Sequence, residues 1–569
     1  MVNQTRHARA GNRRKLTGGV ILAAVLILAA LIALAVVYAS GEQDSESASS
    51  FDPPADPDAR QVTFLDHRRE NYQDLTEQQY AQKYQEGDYT LQDPLVIQDP
   101  YSTAPLTALV MFHTDEPTSV RVTVAGKDDN SSIARTYESY RTDHRVPVLG
   151  LYPDSANSVQ LQLETEDGEL VDESSITIET EPLPEDFLQP ELVHSEPAEM
   201  ADGLSFMIPS TKYLYAIDAN ADVRWYSTEP IKLAFERLQN GHIIFATQDE
   251  ARDQYNQLLE IDMLGKVYND YVIQIDGYDK SNIIHHDVIE LPNGNLLATT
   301  HEPDSKYEQD QMIAIDRNTG ETLRFINDRD LFPAAAYEEY TGKNADVNDW
   351  IHQNAIVFDN DDQSILISGR SQDSIIKLSY PDAEIEWILA AHQDWPDSYD
   401  KYLLDPVGDV KFPAGQHAMK IMPDQDGDPD TADILLFDNN TVITRGDTDI
   451  SDTYSRGVQY RINEVDKTVE EVWSYGKDRG TDFFSSIIGN TQYLPDADTV
   501  LITSGAIKTG DDTTESRIVE VSHDKDPHVV FEVKTPEFGN DEHRYIYRSF
   551  RWPLYPDAKW DFSFDLSEE

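Results

Sequence analysis

The chain contains no cysteine. Disulfides, thiolate nucleophiles and cysteine-ligated metals are therefore excluded, and an exported body would rely on its core alone. Basic residues are scarce: 45 Lys and Arg stand against 105 Asp and Glu in 569 residues, for a formal net charge of -60. Five of the basic residues (Arg6, Arg9, Arg13, Arg14 and Lys15) precede the first acid, so the acidity belongs to the rest of the chain. The acids are spread along it instead of gathered in a tail, which describes a folded surface covered in carboxylates. Such a surface repels itself unless salt screens it, and it fits a protein adapted to high salt. The same field excludes nucleic acid as a partner. A Walker-type phosphate loop is missing, as is a dinucleotide fingerprint between strand and helix. No nucleotide cofactor is expected, and a group-transfer donor would have to be a simple ester.

Long apolar runs are also rare, with one exception. Val20 to Ala39 is almost wholly apolar and long enough to span a bilayer as a helix. Basic residues ahead of it and Glu42, Asp44 and Glu46 behind it place the N-terminus inside and the body outside. Val37-Tyr38-Ala39 also resembles a small-residue cleavage site, so a cleaved signal peptide is the rival reading. Both export the body, and the retained anchor is the expectation: a single-pass protein of the cell membrane. The divisions are a basic cytoplasmic segment at 1–17, the anchor at 18–40 and an acidic stalk and connector at 41–90. Within the connector, Arg60 to Tyr89 is expected to form a short helix packed on the body.

From Leu91 the chain is all-β. Ala108 to Phe112, Ser119 to Val124 and Ser158 to Leu163 are β-rich runs between turn signals, which predicts a small β-sandwich over 91–185. Glu181-Pro-Leu-Pro184 closes it. A repeat follows over 186–569, with six copies beginning near Gly203, Leu238, Leu291, Phe358, Met422 and Leu494. Each holds a turn-rich loop and apolar strands, and ends on a strand with an aromatic: Trp225, Tyr268 or Tyr271, Phe325, Trp387, Trp473 and Phe531. Repeats of this size predict a six-bladed β-propeller, although the first copy is degenerate and five or seven blades also fit the spacing. The aromatic tail His543 to Trp552 is long enough to help close the ring.

The histidines fall in phase with the repeat. His352 lies six residues ahead of Phe358, His285 and His286 six and five ahead of Leu291, and His417 five ahead of Met422. Equivalent positions in a closed radial array converge on the axis, so these residues should line one central pocket. The strand from Asp349 to Phe358 and its return from Gln363 read as a hairpin. That pairing sets His352 roughly opposite Arg370 and points His352 and Asn354 to one face. Two chemistries fit. Axial histidines could bind a metal, or one could be a nucleophile while Arg370, Asn354 and the remaining histidines hold an anion. Arg370 favours the second, because a fixed cation beside a dication is unfavourable and beside a sulfate or phosphate it is not. No metal is expected.

Several strings resemble the nucleotide-independent aryl-sulfate sulfotransferases: His285-His-Asp-Val-Ile-Glu-Leu-Pro-Asn-Gly294, Asp349-Trp-Ile-His-Gln-Asn354, Gly369-Arg370, Gly415-Gln-His-Ala418, Leu435-Leu-Phe-Asp-Asn439, Tyr454-Ser-Arg-Gly457 and Tyr547-Arg-Ser-Phe-Arg551. Ser102 to Ala108 and Pro147 to Tyr152 resemble that family's N-terminal domain, and the likeness runs from about Pro94 to Pro556. It implies a ping-pong transfer of a sulfuryl group from an aryl sulfate ester to a phenol, without a cofactor. Carried over motif by motif, His417 would be the nucleophile and form a transient sulfohistidine. His352 would bind sulfate and exchange a proton with the phenolic oxygen. Arg370, Asn354 and one of His285 and His286 would hold sulfuryl oxygens, with Thr503 at the pocket rim. Some bacterial relatives carry a disulfide near the site, which this chain cannot. Its anchor and acidity suggest a salt-loving, archaeal host.

Two other readings compete: an anchored propeller that binds sulfated or phenolic ligands without turnover, and a metal-dependent hydrolase or oxygenase built on the axial histidines. A homodimer is compatible with all three.

Overall fold

A computed structural model describes residues 61–556, apart from 129, 249–254, 276–283, 303–304 and 343–347. The basic N-terminus, the apolar run and the stalk up to residue 60 lie outside the described residues. Among those described, no helix is long and apolar enough to cross a membrane. The connector forms a strand, Gln61–Leu65, and the expected helix, Arg68–Glu86. Gln73 fastens that helix down: its amide donates to the Val267 carbonyl at 2.8 Å and accepts from the Val267 N–H at 2.6 Å.

The segment after Leu91 builds one network of five antiparallel strands, Leu95–Gln98, Thr107–Val124, Ile133–Leu149, Ala156–Glu164 and Leu170–Glu179. The two runs read as separate strands at Ala108 and Ser119 belong to a single long strand. Its register shifts between His113 and Thr118, so its two halves pair with different neighbours. Ala156–Glu164 alternates buried and open residues, as a strand with one face on a core must.

The repeats become six sheets of four or more strands, antiparallel except for the short parallel edge strand Asp405–Pro406 of the fifth. Strands such as Ser364–Gly369 and Leu204–Pro209 are buried along their whole length. Sheets stacked on both faces require this, and it is why these strands read as continuous apolar runs. The first strands of successive sheets touch in order: Phe235–Arg237, Val288–Glu290, Gln353–Asp359, His417–Ile421, Asn490–Leu494 and then Ile546–Trp552. The cycle closes where Phe235 stacks on Phe550 and Trp552, with ring centroids 6.2 and 5.8 Å apart.

Closure uses both ends of the repeat region. The first sheet has no inner strand of its own and takes Ile546–Trp552, paired antiparallel with Leu204–Pro209. This explains why the first copy is degenerate in sequence. The sixth sheet gains Glu191–Ser195 as an outer strand. Neighbouring sheets are also tied by the closing aromatics. The Trp225 indole donates to the Met263 carbonyl (2.8 Å), Tyr271 to the Arg317 carbonyl (2.9 Å), Trp387 to Glu464 (2.7 Å) and Trp473 to the Asp524 carbonyl (3.1 Å). Each of these rings buries its body in its own sheet and spends its polar edge on the next. Arg224 joins the first sheet to the N-terminal strands: its guanidinium donates to the Gly150 and Ser131 carbonyls and lies 3.9 Å from the Tyr152 ring centroid.

The closing strand is anchored by a buried pair, Arg551 to Glu520 at 2.9 Å, with Glu520 fully enclosed. Glu520 also accepts from the Ala201 N–H and the Thr499 hydroxyl, so its charge is built into three parts of the fold. Removing one partner strands the other charge. Arg551→Met should therefore lower stability by about 3–5 kcal/mol. The double variant Arg551→Met/Glu520→Gln should recover part of that loss. Urea unfolding at fixed salt measures both.

Candidate functional site

The histidine-bearing turns of the third, fourth and fifth sheets meet beside the closing strand. The His286 ring lies 4.7 Å from that of His352 and 6.1 Å from that of His417, centroid to centroid, and Tyr547 stands edge-on to His417 at 5.0 Å.

His417 opens its strand after Gly415, whose φ is +58° and whose absent Cβ would lie 2.5 Å from the Thr441 carbonyl oxygen. Only glycine fits that turn. The His417 Nδ1–H donates to the Gly489 carbonyl at 3.0 Å. Gly489 is equally constrained, since a Cβ there would meet Phe437 and the Thr503 carbonyl oxygen within 2.6 Å. A carbonyl can only accept, so the proton of a neutral His417 is on Nδ1 and Nε2 keeps its lone pair. Burial and the charges of Arg548 and Arg370 push the His417 pKa well below the ordinary histidine value. The ring is neutral near pH 7.

His285 and His286 form a relay. His285 Nε2 bonds the Thr300 carbonyl at 2.8 Å and must be the donor there. Its bare Nδ1 then accepts from Nδ1–H of His286 at 3.0 Å, which leaves Nε2 of His286 with a lone pair. His286, not His285, is the one drawn in among the rings of His352 and His417. Burial pulls His285 down to about 3 and His286 well below its ordinary value.

His352 differs from the others in its backbone and its access. The expected strand does not begin at Asp349. It begins at Gln353, because His352 has a left-handed φ of +49° that cannot continue a pleat, and a register shift follows between Gln353 and Ala355. His352 and Asn354 are thus not simply two alternate residues of one strand. His352 still faces Arg370 across the hairpin, with the Arg370 N–H donating to the His352 carbonyl at 3.3 Å. Its Nδ1 is held by the Asp349 carboxylate, and with a side chain 18% exposed it is more open than buried His285, His286 and His417.

Arg370 begins a short turn, Arg370–Gln372, at the end of the return strand. It is buried, donates Nη2 to the Ser486 carbonyl at 3.3 Å, and has no carboxylate within ion-pair distance among the described residues. Burial lowers its pKa. Asn354 is fully buried and one of its two amide hydrogens goes to the Gln416 carbonyl at 2.8 Å. Thr503 is enclosed one layer behind His417, where its carbonyl backs Gly489 and its hydroxyl bonds Ser549. Among the described residues, no three His, Asp or Glu side chains are grouped to hold a metal ion.

The tail also supplies groups that reasoning from residue types and spacing had not placed at the site. Arg548 pairs with Asp287 at 2.7 Å and donates to the Asn354 carbonyl at 3.0 Å. Tyr547 donates to the His286 carbonyl at 3.1 Å. The site therefore holds two guanidinium groups, one neutralised by Asp287 and one not, around three buried neutral imidazoles.

A family model described as "Arylsulfotransferase (ASST)" matches residues 190–548, and one described as "Arylsulfotransferase Ig-like domain" matches residues 95–181. The chain is similar to the arylsulfate sulfotransferase AssT of Lelliottia amnigena, with 24% identity over 527 residues, covering 72% of this chain and 85% of that protein. It is similar also to the AssT of Escherichia coli O6:H1, with 25% identity over 513 residues and the same two coverages.

The depressed histidines make stability depend on pH. An unfolded chain takes up protons near pH 6.5 that buried His285, His286 and His417 refuse. Their contribution is therefore complete above about pH 6.5 and is lost as pH falls below it, by up to about 1.4 kcal/mol per pH unit for each histidine. Buried carboxyls with raised pKa values, Asp270 among them, act in the opposite sense, so the test is a difference: between pH 7 and 4 in constant salt the urea midpoint of His285→Asn should lose less, or gain more, than that of the unsubstituted protein.

Proposed function

Because the chain belongs to the arylsulfotransferase family it is an aryl-sulfate sulfotransferase, and we propose that it works by a ping-pong transfer through an N-sulfohistidine on His417. The observation that carries this reading is the unpaired, buried Arg370 beside a neutral His417 whose Nε2 lone pair is free. A protein with 105 acids that leaves this guanidinium without one has kept a place for an external anion.

In the first half-reaction Nε2 of His417 attacks the sulfur of the aryl sulfate. The S–O bond to the aryl group breaks, and the leaving phenolate takes a proton from Nε2 of His352. In the second, the acceptor phenol returns a proton to His352, its oxygen attacks sulfur, and the N–S bond breaks. Asp349 holds Nδ1–H of His352, so the ring exchanges protons only through Nε2. Arg370 and the spare amide hydrogen of Asn354 hold the sulfuryl oxygens, and His286, neutral with a lone pair on Nε2 in the empty site, joins them only if the bound anion offsets the burial and like charge that keep it unprotonated. The six sheets are the blades of a propeller with this pocket on its axis. The body lies outside the membrane, held by the apolar segment at 18–40 and adapted to salt.

The test uses the anchor-free body in molar salt with 4-nitrophenyl sulfate, with and without phenol. Nitrophenol release should require phenol and vanish in His417→Ala. Release with water alone would make the protein a sulfatase, and no release from folded protein would favour a binding module. Arg370→Ala should reduce kcat by about 10²–10³. His352→Asn should cost about 10²–10⁴ with phenyl sulfate and less with 4-nitrophenyl sulfate, whose phenolate leaves more easily unprotonated.

A further inference from the structure

Six arginines are buried among the described residues: Arg224, Arg370, Arg445, Arg456, Arg548 and Arg551. Four contact a carboxylate: Arg224 with Asp218, Arg456 with Asp438 and Glu471, Arg548 with Asp287, and Arg551 with Glu520. Among the described residues the guanidinium groups of Arg370 and Arg445 do not, although the Asp373 carboxylate accepts from the Arg445 backbone N–H at 2.7 Å. Scarcity of acid cannot be the reason in this chain.

Every acceptor of the Arg445 side chain is neutral. Nη1 donates to Oε1 of Gln372 at 2.6 Å and to its carbonyl at 3.3 Å, and Nη2 donates to the Asp394 carbonyl at 3.2 Å. Nε is buried with no acceptor. Burial pulls the pKa down to about 10 although Asp373 and Asp394 act the other way. The guanidinium lies 4.0 Å from the Trp395 ring centroid.

Beside it is a cavity of about 300 Å³, walled by Phe332, Tyr340, Gln372, Trp395 and Tyr399. Phe332 and Tyr399 are parallel to within 6°, and Trp395 stacks on Tyr399 with centroids 6.0 Å apart. A space of this size admits one small ring system. Its aromatic walls suit a flat apolar body, and its uncompensated cation suits one anionic substituent. Glu339 and Asp394, on the exposed side, oppose a second negative charge. Gln372 divides this cavity from the histidine site: it follows Arg370 by two residues, accepts from Arg445, and donates to the carbonyl of Trp350, two residues before His352.

We propose that this cavity is a second ligand site, specific for a monoanionic aromatic compound, in which Arg445 takes the sulfonate, sulfate or carboxylate and the ring lies against the contiguous wall of Phe332, Tyr399 and Trp395. The proposal is independent of the role of His417. The probe is benzenesulfonate, whose carbon–sulfur bond prevents transfer. Calorimetric titration of the anchor-free body in molar salt should give two sites. Arg370→Ala should leave one, and that one should weaken roughly tenfold or more when Arg445→Met or Trp395→Leu is added. Either of the two added substitutions suffices if the other impairs folding. Methanesulfonate, which lacks the ring, should bind the Arg370→Ala protein roughly tenfold more weakly than benzenesulfonate. A single site that disappears with Arg370→Ala alone would overturn the proposal. So would unchanged binding in Arg445→Met, or equal binding of methanesulfonate.

Discussion

The buried pair of Arg548 and Asp287 connects the two things this domain must do, which are to close its ring and to build its site. Arg548 lies on the strand Ile546–Trp552, which completes the first sheet, while Asp287 enters the third and the Asn354 carbonyl belongs to the fourth. The other Asp287 oxygen accepts from the Ile356 N–H at 3.1 Å, so one carboxylate spans the third and fourth sheets as well. A buried ion pair is weak evidence for net stability, because desolvation offsets much of its attraction. Its worth here is positional. The tail cannot dock out of register without stranding both charges, and once docked it puts Tyr547 against His417 and a fixed positive field beside it.

That field and the enclosure act on the histidines in the same direction. Protonating a buried imidazole near two guanidinium groups is unfavourable twice over, through lost hydration and through like charge. His417 is thereby kept as a neutral base with one assigned lone pair, which is the state a nucleophilic nitrogen needs. His352 stands apart in being partly exposed and held by a carboxylate. Two chemically identical side chains, both beside His286, are placed in different surroundings by what their Nδ1 atoms touch, a glycine carbonyl in one case and Asp349 in the other.

Much of this was legible in the chain, and the limits have physical causes. The repeat phase located His285, His286, His352 and His417 together because position within a repeat survives as a spacing along the sequence. Arg548 was not assigned to the site, since its partner lies 261 residues away and nothing local marks it. The left-handed turn at His352 was missed because a strand pattern continues through it in the letters, while the backbone breaks there. The choice between His285 and His286 depended on the Thr300 carbonyl, a backbone atom that no residue type reveals.

The same reasoning bears on the acidity. A surface dense in carboxylates lowers the local concentration of any anionic substrate at low salt, so a pocket for such a substrate needs positive charge that the protein does not neutralise itself. Where arginine serves architecture, as at Arg224, Arg456, Arg548 and Arg551, each guanidinium is matched with a carboxylate. Arg370 breaks that pattern, and it stands in the turn that borders the histidines. In a protein of ordinary charge an unmatched buried arginine could be an accident of composition. Against 105 acids, a buried guanidinium that makes no ion pair although Asp349 and Asp373 are near enough to act on it is a charge that an anionic ligand would complete.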